Sequence, residues 1–133
     1  MTMADNNFLI QPAKGMATLL GAGTLNLNVL LRDIVVLETK VAGTMYYEPE
    51  EFEPLVKKDM RLQMVREPEN KYDKFAVALF LDDSKIGYLP RTQNEVIARL
   101  MDAGKEFSTK VVSKKWNEQN NWLEIEIETS IKA

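Results

Sequence analysis

The side chains of this chain that can do chemistry are few in kind. Cysteine and histidine are both absent, which removes disulfides, thiolate nucleophiles, the commonest general base and the commonest zinc ligands. Tyrosines, tryptophans, carboxylates, serines, lysines and arginines remain. Their densest mixture is Arg66-Glu67-Pro68-Glu69-Asn70-Lys71-Tyr72-Asp73-Lys74; Met45-Tyr46-Tyr47 forms a second cluster, and Arg91 and Trp122 stand apart. No paired constellation at a spacing recognisable from acid–base or nucleophilic catalysis is present, so the chain reads as a non-enzyme.

Each cluster has an ordinary structural reading beside the chemical one. Glu67, Glu69, Asn70 and Asp73 offer oxygen ligands, but their spacing is not that of an EF-hand and Pro68 stiffens the segment, so no metal and no cofactor is expected. Asn70 and Asp73 flank a proline-containing turn, where both residue types commonly bond the nearby backbone. Arg66, Lys71, Lys74 and Arg91 are candidates for a basic patch, although lysines on solvated strand faces are commonplace. Gly87 lies outside any glycine-rich loop and reads as a tight strand-packing position rather than a phosphate cradle.

The elements that must carry these residues follow from periodicity. A run of apolar and β-branched residues from Ile34 through Val41 to Tyr46 predicts a strand, along which Tyr46 and Tyr47 alternate in direction and at least one packs inward. Glu48 to Asp59, with Pro49 and Pro54, reads as an acidic loop or single turn. Arg61 to Arg66 predicts a strand ending at Pro68, followed by the turn Glu67-Pro68-Glu69-Asn70. Lys74 to Leu81 and Lys85 to Leu89 form a hairpin around Asp82-Asp83-Ser84. Thr92 and Glu95 fit a capping box for a helix over about Gln93 to Ala103, with Val96, Ile97, Leu100 and Met101 on one face and Gly104 ending it. Phe107 to Trp116 and Trp122 to Ile131 make a second hairpin through Asn117 to Asn121. In the last strand Leu123, Ile125 and Ile127 point to the core, leaving Trp122 on the face of Glu124, Glu126 and Glu128.

Five to six strands and one clear helix, without strand–helix alternation, predict a mainly β (α+β) domain: a partly open antiparallel barrel of OB-like or SH3-like type. At 133 residues, 45% hydrophobic, the chain can enclose one core. Residues 33–133 are assigned to it and residues 1–32 to an N-terminal arm, with a helical turn at Met16 to Leu20, alternating Leu25, Leu27 and Val29, and a potential for self-association. No run of about 18 apolar residues is present, and the opening residues lack the pattern of a secretion signal, so a cytoplasmic protein without membrane contact is expected. A net charge of −3 argues against indiscriminate coating of nucleic acid and confines any such site to a local patch.

The block Arg66-Glu67-Pro68-Glu69-Asn70-Lys71-Tyr72-Asp73-Lys74-Phe75-Ala76-Val77, followed by Ile86-Gly87-Tyr88-Leu89-Pro90-Arg91 and preceded by Val41-Ala42-Gly43-Thr44-Met45-Tyr46-Tyr47, resembles the HIRAN domain. Two long blocks at hairpin spacing are far more specific than one short motif, and the resemblance covers roughly residues 34 to 130. It implies an OB-like barrel that captures the 3′ end of single-stranded DNA, a module found at the front of fork-remodelling ATPases and as short bacterial proteins. It implies DNA repair as the setting, with single-stranded DNA, DNA ends and DNA-processing proteins as partners. By position, Tyr46 and Tyr47 match an aromatic pair bordering the DNA groove, Tyr72 and Asp73 match the end-binding pocket, and Arg91 matches a phosphate-facing cation. Asn70 belongs to the same block, and Trp122 aligns loosely with a late aromatic position. Tyrosines stack on any base for about 1–3 kcal/mol each, and a carboxylate such as Asp73 accepts from a terminal 3′-hydroxyl while repelling an internal phosphate. Met45 stands where eukaryotic members carry a basic residue, which removes one phosphate contact. The competing reading is a protein-interaction or oligomerising module that presents the same aromatic surface without binding nucleic acid.

Overall fold

The structure of the chain, a computed structural model, describes residues 33–119 and 122–133. The features expected within residues 1–32, the arm's helical turn, its alternating segment and its self-association, lie outside the described residues, as do Asn120 and Asn121 of the second hairpin. The described elements are β1 (Ile34–Lys40), a 3₁₀ turn (Thr44–Tyr46), α1 (Pro49–Phe52), a second 3₁₀ turn (Glu53–Leu55), β2 (Arg61–Glu67), β3 (Ala76–Leu81), β4 (Ser84–Tyr88), α2 (Glu95–Asp102), β5 (Phe107–Asn117) and β6 (Trp122–Ile131).

The strands form one six-stranded sheet in the order β1-β6-β5-β2-β3-β4, and every pairing is antiparallel. The sheet curls until its edges meet beyond the end of β1. There Ala42 donates to the Tyr88 carbonyl at 2.8 Å and Tyr88 donates back at 2.9 Å, an isolated bridge and not a full ladder. The sheet is therefore not closed, and the partly open barrel read from the sequence is the observed one. Gly87 makes the bridge possible: a Cβ at this position would lie 2.5 Å from the Ala42 oxygen and 2.5 Å from Val41 Cγ1. The close approach of two backbones leaves no room for a side chain.

The core follows the period-two pattern. Leu123, Ile125 and Ile127 of β6 are buried with Val77 and Leu79 of β3, Ile86 of β4 and Val111 of β5. Thr109 and Thr129, buried on paired strands, satisfy each other at 2.9 Å, so their hydroxyls carry no desolvation penalty. From β6 the Leu123 carbonyl accepts the buried Thr44 hydroxyl at 2.8 Å, which fastens the first 3₁₀ turn to the sheet.

Several boundaries differ from the periodic reading. β1 ends at Lys40 because the Val41–Gly43 segment turns toward β4 and Gly43 takes a left-handed conformation, φ 78°; Tyr46 thus ends a 3₁₀ turn, Tyr47 caps it, and neither extends a strand. The acidic segment agrees with its reading as a single turn, an α-turn at Pro49–Phe52 followed by a 3₁₀ turn. β3 begins at Ala76, not Lys74, since Asp73 and Asn70 hold the intervening backbone in turns. The helix begins at Glu95 and no Thr92–Glu95 capping box forms; Asn94 is the N-cap and makes no side-chain cap, its amide being held by Asp73 through Nδ2 while Oδ1 meets no donor among the described residues. Of the four apolar positions assigned to one face of α2, Val96 is solvent-exposed while Ala98 is buried instead.

Candidate nucleic-acid interface

Three separate stretches converge on one groove of about 360 Å³ at the point where the barrel's edges meet. Gly43, Tyr46 and Tyr47 come from the first 3₁₀ turn and its two caps; Asn70, Tyr72 and Asp73 from the β2–β3 connection; Tyr88, Leu89 and Arg91 from the end of β4 and the turn after it. Tyr46, Tyr47, Asn70, Tyr72, Asp73 and Arg91 are thus brought together, although they span more than forty positions of sequence. Trp122 is not among the lining residues; it starts β6, pairs with Asn117 and turns its indole N–H to Glu124 at 3.2 Å.

The four tyrosines of the chain all line this groove, in two different states. Tyr46 and Tyr72 are each 79% exposed, with no packing role to account for them. Tyr47 and Tyr88 are half-buried, their ring centroids 6.3 Å apart and tilted at 51°. The outward and inward members of the Tyr46–Tyr47 pair are distinguished by the bend at Gly43, whose positive φ a residue with a Cβ adopts only at a cost.

The β2–β3 connection is rigidified by its own polar side chains. Asn70 Oδ1 accepts from the backbone N–H of Tyr72 at 2.8 Å and of Asp73 at 3.1 Å, and Asp73 Oδ1 accepts from Phe75 N–H at 2.9 Å. The other Asp73 oxygen accepts from Asn94 Nδ2 at 2.7 Å. Asn70 therefore acts as a turn former. Arg66 grips the connection from outside: Nη1 donates to the Ala76 carbonyl, Nη2 to the Lys74 carbonyl at 2.7 Å, and Nε and Nη2 form a fork with Asp102 of α2. Its guanidinium is thus spent on structure, and Arg66 leaves the set of candidate phosphate ligands. Arg91 is exposed and makes no ion pair with a described residue. Since α2 starts at Glu95 and its first turn carries that glutamate, the helix end is farther from Arg91, and less suited to an anion, than the expected start at Gln93 implied.

A charged network that the sequence reading did not single out lies behind the groove. Glu67, the last residue of β2, accepts from Asn70 Nδ2 at 3.0 Å and the Tyr88 hydroxyl at 2.8 Å with one oxygen, and from Lys85 Nζ at 2.7 Å with the other. Lys85 also donates to the Tyr88 oxygen at 3.0 Å, and its ammonium sits 5.0 Å from the Tyr88 ring centroid and 5.9 Å from that of Tyr47. Burial pushes the Glu67 carboxyl up, but the hydrogen bonds from Lys85, Asn70 and Tyr88 outweigh it and hold the group below the ordinary range. The hydrogen bond to Glu67 chiefly raises Lys85, and burial chiefly raises the Tyr88 phenol. Tyr88 stood inside the Gly87-Tyr88-Leu89-Pro90 segment, but an aromatic in an apolar strand reads as core. Nothing in the spacing of Glu67 and Lys85 marks them as partners.

None of Glu48, Glu50, Glu51 and Glu53 lines the groove, and neither do Glu124, Glu126 and Glu128. Among the described residues no cluster of three or more carboxylates is arranged to hold a metal ion, and no helix is long and apolar enough to cross a membrane.

Comparison with known proteins bears on this architecture. No curated protein matches the chain. The crystal structure of a protein from Lactobacillus plantarum is similar at 25% identity with a TM-score of 0.62, over 76% of this chain and 97% of that one. The crystal structure of the HIRAN domain of human HLTF is similar in fold at 20% identity and a TM-score of 0.58, over 75% of this chain and 79% of that one. The HIRAN domain family model matches residues 34–133, the span that contains the whole sheet and every groove residue. The chain therefore belongs to the HIRAN domain family, a family of binding domains associated with DNA.

Proposed function

We propose that the groove binds single-stranded DNA at a free 3′ end. The observation that carries this reading is the gathering of all four tyrosines of the chain in one groove with a single arginine and a single aspartate. Two of those rings stand in solvent, where apolar surface is costly unless a ligand covers it. Bases stack on such rings without regard to identity, and Arg91 supplies a cation for the phosphate beside them. The Asp73 carboxylate has one described hydrogen bond at each oxygen, so a lone pair on each remains free for a hydroxyl donor. A phosphate at the same place would meet the carboxylate's charge, which selects a terminus over an internal nucleotide.

The test is a fluorescence-anisotropy titration of short single strands ending in a 3′-hydroxyl against the same strands ending in a 3′-phosphate. Preferential binding of the hydroxyl end, with the preference lost in Asp73→Asn, supports the reading. Equal affinity for both ends removes the role of Asp73, and absence of binding at low salt turns the aromatic surface into a docking site for a protein, such as a DNA-processing partner.

A further inference from the structure

The connection that presents Tyr72 and Asp73 and the strand end that presents Tyr88 and Arg91 belong to different parts of the sheet, yet a groove works only if they keep a fixed separation. One side chain bonds to both. Glu67 reaches Asn70, the residue whose Oδ1 organises the Tyr72–Asp73 turn, and the Tyr88 hydroxyl, with a single oxygen at 3.0 and 2.8 Å. Its second oxygen is neutralised by Lys85 at 2.7 Å. We propose that Glu67 is a positioning residue of the groove: it never touches the ligand, but its carboxylate sets the spacing and orientation of Tyr72, Asp73 and Tyr88 on which end recognition depends.

Three features of the geometry support this. The carboxylate and its ammonium partner are only 25% and 27% exposed, so the contacts are shielded from water and hold their geometry better than a surface pair does. The donors converge from three different chemical groups, an amide, a phenol and an ammonium, and only an acceptor with two oxygens and a full negative charge satisfies all three. Finally, Arg66 already clamps the same connection to the Ala76 and Lys74 carbonyls and to α2, which gives the turn a second anchor on the other face of β2. Removing the Glu67 contacts thus frees the groove side of the turn while the turn as a whole stays attached.

The role in binding rests on the nucleic-acid reading, whereas the ordering of the groove does not, and the two are separable because each tyrosine of the chain is a reporter in this one site. The protein is labelled with 3-fluorotyrosine, its four ¹⁹F resonances are assigned by single Tyr→Phe variants, and the wild type is compared with Glu67→Gln and Lys85→Met. Glu67→Gln removes the charge and puts an amide donor in place of one oxygen, facing either Lys85 or the Asn70 and Tyr88 donors; Lys85→Met removes the cation and leaves the Asn70 and Tyr88 contacts. The expected result is a shift or exchange broadening of the Tyr72 and Tyr88 resonances in Glu67→Gln, with Tyr46 unmoved, at a temperature where both variants are folded. With it comes a loss of about tenfold in affinity for the 3′-hydroxyl strand and a collapse of the hydroxyl-over-phosphate preference toward one. Unchanged resonances, or an unchanged preference with the protein folded, overturn the proposal. If the wild type binds no single strand, the nucleic-acid reading fails, and the tyrosine spectra still decide whether Glu67 orders the groove.

Discussion

Tyr46 and Tyr72 contribute almost no buried surface, so their replacement separates binding from stability. Tyr46→Ala and Tyr72→Ala are each expected to weaken single-strand binding by about 1–3 kcal/mol while leaving the melting temperature in place, which anisotropy and thermal denaturation measure side by side. Asn94 is expected to do the reverse. It is 1% exposed, its Nδ2 holds Asp73 at 2.7 Å, and its Oδ1 is buried without a hydrogen-bond partner among the described residues. The side chain is therefore kept for its donor. Asn94→Asp would set a second carboxylate against Asp73 in place of that donor, and a destabilisation of about 2 kcal/mol is expected in denaturant melts, with Phe75 and the Tyr72–Asp73 turn loosened. Of these residues the tyrosines and Asp73 were legible from the motifs. Asn94 was not, because the periodic reading placed it inside a helix capped by Thr92, and only the approach of the β2–β3 connection gives its side chain a partner.

The contact of the post-β1 segment with β4 is the structural event that makes a groove from two edges. Its weak point is Gly87, where a Cβ would stand 2.5 Å from the Ala42 oxygen. Backbone on one side and Val41 on the other leave nothing that can yield cheaply. Gly87→Ala is expected to destabilise the fold by about 2 kcal/mol or more and to abolish strand binding, since Tyr88 and the Tyr46–Tyr47 turn separate together. Gly43→Ala meets an open environment, its nearest neighbour being Tyr46 Cδ2 at 3.7 Å, but a φ of 78°; roughly 1 kcal/mol is expected, with binding reduced through Tyr46. Calorimetry of the two variants gives the ordering. At this scale the strands were readable wherever alternation or an apolar run was clean, as in β3 and β6. The departure after Lys40 was not, because Val41 to Tyr46 has the composition of a strand and the bend is imposed by a partner strand more than forty residues away.

The whole molecule is acidic, with a net charge of −3, and its groove holds one exposed arginine. Binding is accordingly expected to depend weakly on salt: one or two neutralised phosphates give a slope of roughly −0.7 to −1.4 in log K against log salt, read from titrations at several ionic strengths. Stability against pH follows from the charged network and the β6 face. Hydrogen bonds from Asn117, Lys40 and Trp122 hold the Glu124 carboxyl down to about 2, and Glu67 is also lowered from 4.5. Both contribute stability that is present above pH 4.5 and is lost as pH falls toward 2. Glu51, raised by its hydrogen bond to and the charge of Glu48, acts in the opposite sense but in full contact with solvent, where its effect is screened. On the alkaline side Lys85 and Tyr88 are raised above 10.5 and 10.0, so their contribution is complete below pH 10 and is lost above it. Thermal melts across this range are expected to show a plateau between about pH 5 and 10 with an acid limb that shrinks in Glu67→Gln.

Composition and periodicity by themselves determined the fold class, the core face of β6 and the hairpin at Asp82-Asp83-Ser84, because these depend on local burial and turn chemistry that each segment carries within itself. The motif blocks singled out the residues that line the groove, since their order and spacing match the HIRAN pattern as a unit. Tertiary structure alone decided how those residues divide. It exposed Tyr46 and Tyr72 while committing Tyr47 and Tyr88 to a half-buried cluster, turned Arg66 and Asn70 into scaffold, left Trp122 outside the groove and joined Glu67 to Lys85. The physical reason is the same in each case: whether a polar side chain is free to meet a ligand depends on which donors and acceptors other strands bring within 3 Å, and that is settled only when the edges of the sheet meet.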